Sequence, residues 1–247
     1  MKIKIIVLLL LFHCFAFSQV IINGSVVYNI SLKTPDLNEL SKNEKISKET
    51  RSKLIAMYKN VSDVSSILIF ANDEALFEVE NKMDNESNTG LNLTNLLSGG
   101  KGRYVFYYNN KTGENFIQKN AIGELYMVSE SKKEWELTHE TKKIGDYVCY
   151  KAIEQNKMEI KNPKHSPTIA WYAPSIPVNF GPNGYNGLPG LILELQINNK
   201  LIYRITKIEL NPQKIIKIEK PTKGRKVTSD EFRKILENAA PEFSKKS

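Results

Sequence analysis

Short segments rich in β-branched and aromatic residues recur along most of this chain, and they constrain its fold more than any other feature. About ten such segments follow one another, most of them separated by turn residues. Because short turns connect antiparallel neighbours, the series predicts a mainly β fold of the α+β class, a curved antiparallel sheet or open-barrel-like meander. The strand patterns cover residues 20–32, 64–80, 103–109, 115–119, 122–129, 133–140, 147–154, 168–172, 191–198, 201–210 and 214–219.

Helical patterns stand at both ends of this series. Asp36 is a candidate N-cap, and apolar residues recur at three- and four-residue steps over 36–60, which predicts an N-terminal segment of one or two helices. Thr228 and Glu231 form a capping-box pattern, which predicts a C-terminal helix over 229–239.

Asparagine, glycine and lysine mark the turns. The pairs Asn72-Asp73 and Asn198-Asn199 each separate two apolar segments and predict tight turns, and residues 142–145 predict another. Residues 81–102 are polar and rich in Asn and Gly, so they predict a long loop.

The first 18 residues have the pattern of a secretory signal peptide. Lys2 and Lys4 precede an apolar run, and Ala16 and Ser18 place small residues at a cleavage site. We therefore expect export, cleavage after Ser18, and a single domain over 19–247 in the periplasm or cell envelope. No other long uncharged apolar stretch follows, so we expect no integral membrane segment after cleavage.

Cys149 is the single cysteine expected in the mature chain, because Cys14 lies within the signal. A lone thiol cannot form an intramolecular disulfide, which excludes a disulfide-stapled scaffold. We interpret Cys149 as a small buried hydrophobic residue of a strand. A nucleophile paired with a distant histidine and an intermolecular disulfide are the alternatives.

The chain carries no recognisable catalytic or metal-binding motif. Neither the Gly-x-Ser-x-Gly elbow nor a phosphate-binding glycine loop occurs. Strand periodicity places Glu136 and His139 on opposite faces, and His165 lies in a Lys/Pro segment. We therefore expect no enzyme, no catalytic residue, no metal and no cofactor.

The positive charge, formally +8, is spread along the sequence. Paired lysines such as Lys132-Lys133 and Lys142-Lys143 are interpreted as turn residues that keep sheet edges soluble. This distribution does not predict nucleic-acid binding.

Residues 181–192, GPNGYNGLPGLI, have glycine at every third position of their first ten residues. The repeat is too short for a collagen triple helix, and a strand pattern follows at once. Two interpretations stay open. The segment is either an architectural loop that turns the chain sharply before 191–198, or a loop that contacts a ligand or partner.

The chain over 170–193 resembles the signature of the GLPGLI family, secreted proteins of the Bacteroidetes. GDYVCYKA at 145–152 is similar to the family's second block, with Asp146 as an additional residue. The resemblance implies export and an association, at family level, with TonB-dependent outer-membrane transporters, but no established biochemical role. The signature residues taken as a candidate binding surface are Trp171, Tyr172, Pro174, Pro177, Gly181, Pro182, Tyr185, Gly187, Leu188, Pro189, Gly190, Leu191 and Ile192.

The first functional hypothesis is a non-enzymatic envelope accessory protein that contacts another envelope protein. Its anchors would be Trp171, Tyr172, Tyr185 and Leu188, and it predicts an exposed apolar patch near 171–190.

The second hypothesis is a periplasmic carrier of a lipid or other apolar ligand. It predicts a large apolar pocket in the concavity of the sheet, lined by Phe106, Tyr108, Met127 and Trp135. The third, an enzyme without recognisable motifs, predicts two ionisable groups with shifted pKa values in one cleft.

Overall fold

The computed structural model describes residues 22–80, 92–100, 104–155 and 166–244. The signal-peptide pattern and His165 lie outside these residues. The strands are β1 (Gly24–Leu32), β2 (Val64–Ala71), β3 (Glu74–Val79), β4 (Tyr104–Asn109), β5 (Asn115–Ala121), β6 (Glu124–Ser129), β7 (Trp135–Ile144), β8 (Tyr147–Glu154), β9 (Ile169–Ala173), β10 (Leu191–Ile197), β11 (Leu201–Leu210) and β12 (Arg225–Thr228). The helices are α1 (Leu37–Lys42), α2 (Lys48–Lys59), α3 (Leu93–Leu97) and α4 (Ser229–Ser244).

All twelve strands form one open sheet in the order β12-β6-β5-β4-β3-β2-β1-β11-β10-β9-β8-β7. The mainly β, curved antiparallel fold predicted from sequence is confirmed. The chain does not run as a single meander from end to end, however. β1 lies in the middle, pairs with β2 on one side and β11 on the other, and so joins two meanders, β2–β6 and β7–β11.

The asparagine turns are confirmed by their backbone conformation. Asn72, Asn198 and Asn199 have φ values of 54°, 52° and 50°, in the left-handed region that asparagine tolerates. The turn expected over 142–145 is displaced, because β7 continues to Ile144 and the chain reverses at Gly145. Lys142 and Lys143 therefore lie in a strand and not in a turn.

Both predicted helix starts are confirmed. The Asp36 carboxylate accepts hydrogen bonds from the backbone N–H groups of Asn38 and Glu39. At α4, Glu231 accepts from the backbone N–H of Thr228 at 2.8 Å, and Thr228 Oγ1 accepts from the backbone N–H of Glu231 at 3.2 Å. None of the described helices is long and apolar enough to cross a membrane.

Two local predictions are wrong where the structure describes the chain. Residues 93–97, expected within a loop, form α3, because Asn92 caps a helical turn; residues 81–91 and 101–103 lie outside the described chain. Residues 214–219 have a strand pattern but form no strand. Ile218 instead packs across the sheet face, against Tyr107, Phe116 and Met127. β12 is a strand that the sequence patterns do not predict, and it pairs in parallel with β6.

Candidate functional site

Residues 174–190, between β9 and β10, form a long connection here termed the signature loop. The Phe180 ring lies 5.8 Å from the Phe70 ring of β2 and 5.9 Å from the Tyr108 ring of β4. A short 3₁₀ turn at Pro182–Gly184 contacts β3, β4 and β5. The loop thus reaches across to the meander that does not contain its own flanking strands.

The signature loop also contacts β7, at the far edge of the sheet. Trp135 Nε1 donates to the carbonyl of Asn186 at 2.9 Å, and the rings of Trp135 and Tyr185 lie 6.0 Å apart. One loop can touch β2–β5 and β7 only because the sheet curves around it. The signature loop therefore occupies the concavity of the sheet.

Backbone hydrogen bonds hold the loop against the start of β10. Leu191 N–H donates to the Ile176 carbonyl at 3.0 Å, and Ile192 N–H donates to the Phe180 carbonyl at 3.1 Å. These bonds satisfy polar groups that the curved sheet shields from water. The loop is therefore pinned at two points along its length.

Two positions of the loop require glycine, because the backbone there lies too close to neighbouring atoms for a Cβ. A Cβ at Gly190 would lie 2.4 Å from the Ala173 carbonyl oxygen. Gly184 has a φ of +75°, and a Cβ there would lie 2.6 Å from Cδ1 of Phe106. The glycines let the backbone pack directly on its neighbours, which is an architectural role.

Ile176, Phe180 and Leu188 all lie in the main hydrophobic core. Of the signature residues, Trp171 and Tyr185 are half-buried, and Pro174, Pro177, Gly187 and Pro189 are exposed. The buried ones are Tyr172, Gly181, Pro182, Leu188, Gly190, Leu191 and Ile192. Tyr172 and Leu188 are thus not available as surface anchors, and the exposed large apolar side chains of the described chain lie outside 171–190.

One small void lies in the concavity among the described residues. Between the loop and β2–β5, a void of about 20 Å³ is lined by side chains such as Phe77, Phe106 and Phe180. That volume suits one water molecule and not a lipid. Met127 is expected in the concavity, but its side chain lies on the opposite face of β6 from the side chains of its two neighbours in that strand. It packs with Tyr107 and Phe116 in a separate cluster.

A larger space lies at the mouth of the concavity, beside the signature loop. This space, termed the cleft, has a volume of about 240 Å³. Its walls come from β4, β5, the segment after β6, the end of α3 and the 3₁₀ turn. They are formed by Leu97, Tyr104, Phe106, Ile117, Lys119, Glu130, Lys133, Asn183, Gly184 and Tyr185.

The two lysines of the cleft have different surroundings. Lys133 Nζ lies 3.6 Å from a Glu130 carboxylate oxygen and 4.0 Å from one of Glu154, and 5.1 Å from the centre of the Tyr185 ring. Lys119 Nζ lies over the Tyr104 ring at 5.1 Å and is half-buried. In the described part of the chain, no carboxylate forms an ion pair with Lys119.

Burial lowers the pKa of Lys119 below its ordinary value of 10.5. The Glu130 charge opposes this change, and the Lys133 charge adds to it. The lowered pKa reports an ammonium group that is partly removed from water and for which the attraction of Glu130 does not offset the cost of burial.

An ion-pair cluster lies beside Trp171, on the strands that lead into and out of the signature loop. Glu194 of β10, opposite Trp171 in the sheet, pairs with Lys142 at 2.9 Å and Arg204 at 3.3 Å. The Lys142 ammonium lies 4.3 Å from the centre of the Trp171 ring. Trp171 is therefore held in a structural contact.

Because of this ion-pair cluster, we expect the stability of the fold to decrease at acidic pH. Burial alone would raise the pKa of Glu194, but hydrogen bonds from Lys142 and Gln196 and the charge of Arg204 outweigh it, so the pKa lies below 4.5. A carboxylate with a depressed folded-state pKa contributes stability above its unfolded-state pKa and loses it as the pH falls through the folded-state value.

We expect Glu194→Gln to lower the free energy of unfolding at pH 7 by about 1–3 kcal/mol, and to flatten its decline below pH 4.5. Urea unfolding across this pH range measures both effects. Glu140→Gln is the control, because the ion pair of Glu140 with Lys151 is solvent-exposed on the Glu140 side and contributes at most about 1 kcal/mol. An unchanged acid response in Glu194→Gln would contradict this assignment.

Cys149 is fully buried, as the sequence predicted for a small hydrophobic residue. Burial raises the pKa of its thiol to about 11, so the thiol is protonated at neutral pH. His139 is exposed on β7. Within the described ranges, no three His, Cys, Asp or Glu side chains are grouped so that they could hold a metal ion.

The sequence did not single out the cleft. Lys119 lies in a segment with a strand pattern, and Lys133 belongs to a lysine pair that is typical of turns. Their proximity arises from the curvature of the sheet and from the 3₁₀ turn, which come from distant parts of the chain. No local sequence signal marks such a site.

Comparisons with known proteins agree with this architecture. A family profile described as "Protein of unknown function (Porph_ging)" matches residues 153–194, from the end of β8 to the middle of β10. The matched segment includes the hexapeptide on which the GLPGLI resemblance rests. Curated proteins give no match.

The fold is similar to that of a solved structure, PNGF-II in a C2 crystal form, with a TM-score of 0.51 and 15% identity. The alignment covers 87% of this chain and 32% of the PNGF-II chain. PNGF-II in a P2₁ form gives a TM-score of 0.48 and 17% identity, over 86% and 32%. The chain thus spans about a third of PNGF-II, and the likeness concerns the fold alone.

Proposed function

We propose that the chain is an exported, non-enzymatic binding protein of the cell envelope, related to the GLPGLI family, and that the cleft is its ligand site. The export pattern at 1–18 and the family resemblance support the location. The observation that carries the binding role is the cleft itself, in which the half-buried Lys119 stands beside an apolar floor without an ion-pair partner in the described chain.

The cleft suits a small molecule or a small part of a larger one. Its volume of about 240 Å³ lies just below the range of roughly 300–1,000 Å³ for sites of drug-sized ligands. A carrier with a whole lipid in the sheet concavity has no support, because the signature loop occupies that space.

The carboxylates near the cleft favour binding over catalysis. Glu130 and Glu154 both pair with Lys133, which fixes the segment after β6 against β8. Groups engaged in this way hold the wall of the cleft in place and are poorly placed to transfer protons.

A second candidate function is contact with another envelope protein, such as a TonB-dependent transporter. Leu137, Val148 and Tyr150 support it, because they share one face of the β7–β8 hairpin at the open edge of the sheet. All three are exposed. Exposed apolar residues that adjoin one another commonly mark contact surfaces.

Native mass spectrometry tests the ligand-binding proposal on protein released gently from its own envelope. We expect a mature mass that begins at Gln19 and carries a small bound molecule. Leu97→Glu adds a carboxylate to the cleft wall at a position that is 53% exposed, so the variant is expected to fold and to lose the bound mass. Leu96→Glu makes the same change beside it, at a residue that does not line the cleft, and is the control.

The outcomes separate the two candidates. Loss of the bound mass in Leu97→Glu but not in Leu96→Glu supports the cleft. A bare protein, or a bound mass that both variants retain, overturns the cleft as the ligand site. A co-released protein that Val148→Glu abolishes assigns the chain to the accessory role instead.

A further inference from the structure

We infer that the ligand of the cleft is a small amphipathic anion, whose carboxylate or phosphate group pairs with Lys119 while its apolar part lies against Phe106 and Ile117. This inference rests on the proposed function and names the chemistry that the site selects.

Charge is the first argument. Lys133 has two carboxylate neighbours, Glu130 and Glu154, so its charge is already balanced. Lys119 forms no ion pair in the described chain, although the Glu130 charge acts on it. Its Nζ lies instead over two rings, 5.1 Å from the centre of the Tyr104 ring and 5.3 Å from that of Phe232. Ring faces attract the cation but supply no acceptor oxygen. Among the groups of this cleft, Lys119 is therefore the one with which an incoming anion would form the most favourable ion pair.

The lining of the cleft is the second argument. Phe106 and Ile117, each only 7% exposed, form a small apolar floor in a lining that is otherwise more polar than apolar, and Tyr185 stands as a half-buried ring at the signature loop. Leu97, at the rim, exposes an apolar side chain to solvent. A ligand that is only ionic would leave this surface unused, and a purely apolar ligand would bury the Lys119 ammonium without a partner.

The pKa of Lys119 makes the inferred anion binding depend on pH. Burial lowers this pKa in the free protein, and an anion beside the ammonium would raise it. Affinity for the anion is therefore expected to fall as the pH rises through the lowered pKa. A neutral ligand has no such dependence.

Isothermal titration with four eight-carbon probes tests the class of ligand: octanoate, octyl phosphate, octanol and octylammonium. We expect the two anions to bind about tenfold or more tightly than octanol or octylammonium, since a charge-assisted hydrogen bond contributes on that order. The two anionic probes distinguish a carboxylate ligand from a phosphate ligand.

Lys119→Gln is expected to reduce anion affinity by about tenfold or more and to remove its pH dependence. Lys111→Gln is the matched control, because it removes the same charge at an exposed turn outside the cleft. Circular dichroism checks that both variants fold, and Lys119→Arg, which keeps the charge, is expected to restore much of the binding.

Each contrary result has a distinct meaning. If octanol or octylammonium binds as tightly as octanoate, the anionic class is wrong and the binding function stands. If no probe binds and native mass spectrometry finds no bound molecule, the proposed function fails as well. Capture of the wild type, but not of Lys119→Gln, by phosphatidylglycerol vesicles alone would replace the small anion with a membrane surface.

Discussion

Leu188→Ala is expected to lower the free energy of unfolding by about 2–5 kcal/mol, the cost of a cavity in a packed core. Leu188 belongs to the signature loop but is only 1% exposed and packs in the main core. Urea unfolding, followed by circular dichroism, measures the loss. The expected result would establish the GLPGLI hexapeptide as architecture.

Leu137→Ala is the matched control for Leu188→Ala. The same side chain is removed at a position that is 53% exposed on the edge strand β7, so the change is expected to stay within about 0.5 kcal/mol. If instead Leu188→Ala unfolds at the same urea concentration as the wild type, the signature loop does not contribute to the core, and its surface role becomes the better interpretation.

Phe77→Ala is expected to lower the free energy of unfolding by about 3–5 kcal/mol, because the ring is buried where the two meanders meet. Its centre lies 6.4 Å from that of Tyr28 in β1, 5.8 Å from that of Phe106 in β4, and 6.1 Å from that of Tyr203 in β11. Loss of the ring should therefore weaken both meanders together.

Amide hydrogen exchange distinguishes this expectation from a local effect. In Phe77→Ala, protection should fall in β3 and also in β10 and β11. Phe232→Ala is the control, since Phe232 packs in a separate cluster with Tyr126, Val128 and Val227, so its effect should stay near α4 and β6. Loss of protection confined to β3 in Phe77→Ala would show that the two meanders do not share one core.

Residues 214–219 show where sequence reasoning reaches its limit. Their three β-branched isoleucines are typical of a strand, yet Ile218 packs across the sheet and Lys220 pairs with Glu114. Residue composition indicates which side chains can be buried. It does not report whether the backbone finds a strand partner, since that partner comes from a distant segment.

The sequence also leaves the role of the signature loop open. Its glycine and proline content predicted a sharp change of direction, and two interpretations of its role remained. Burial of Ile176 and Phe180 in the core, and the close approach of Gly190 to Ala173, favour an architectural role for most of the loop. Asn183, Gly184 and Tyr185 of the same loop line the cleft that we propose as the ligand site. Of the residues that line the cleft, Phe106 and Tyr185 are binding candidates from the sequence alone. Lys119 has no distinguishing pattern, because a half-buried lysine and a solvated one look alike in a sequence.

The sequence by itself determined the mainly β class, the asparagine turns and the caps of α1 and α4, because these depend on φ preferences and hydrogen bonds within a few residues. Only the tertiary structure decided that β1 joins the two meanders, that the signature loop occupies the concavity, and that Lys119 and Lys133 line one cleft. Those outcomes depend on strand pairing and sheet curvature, which bring together residues far apart in the chain.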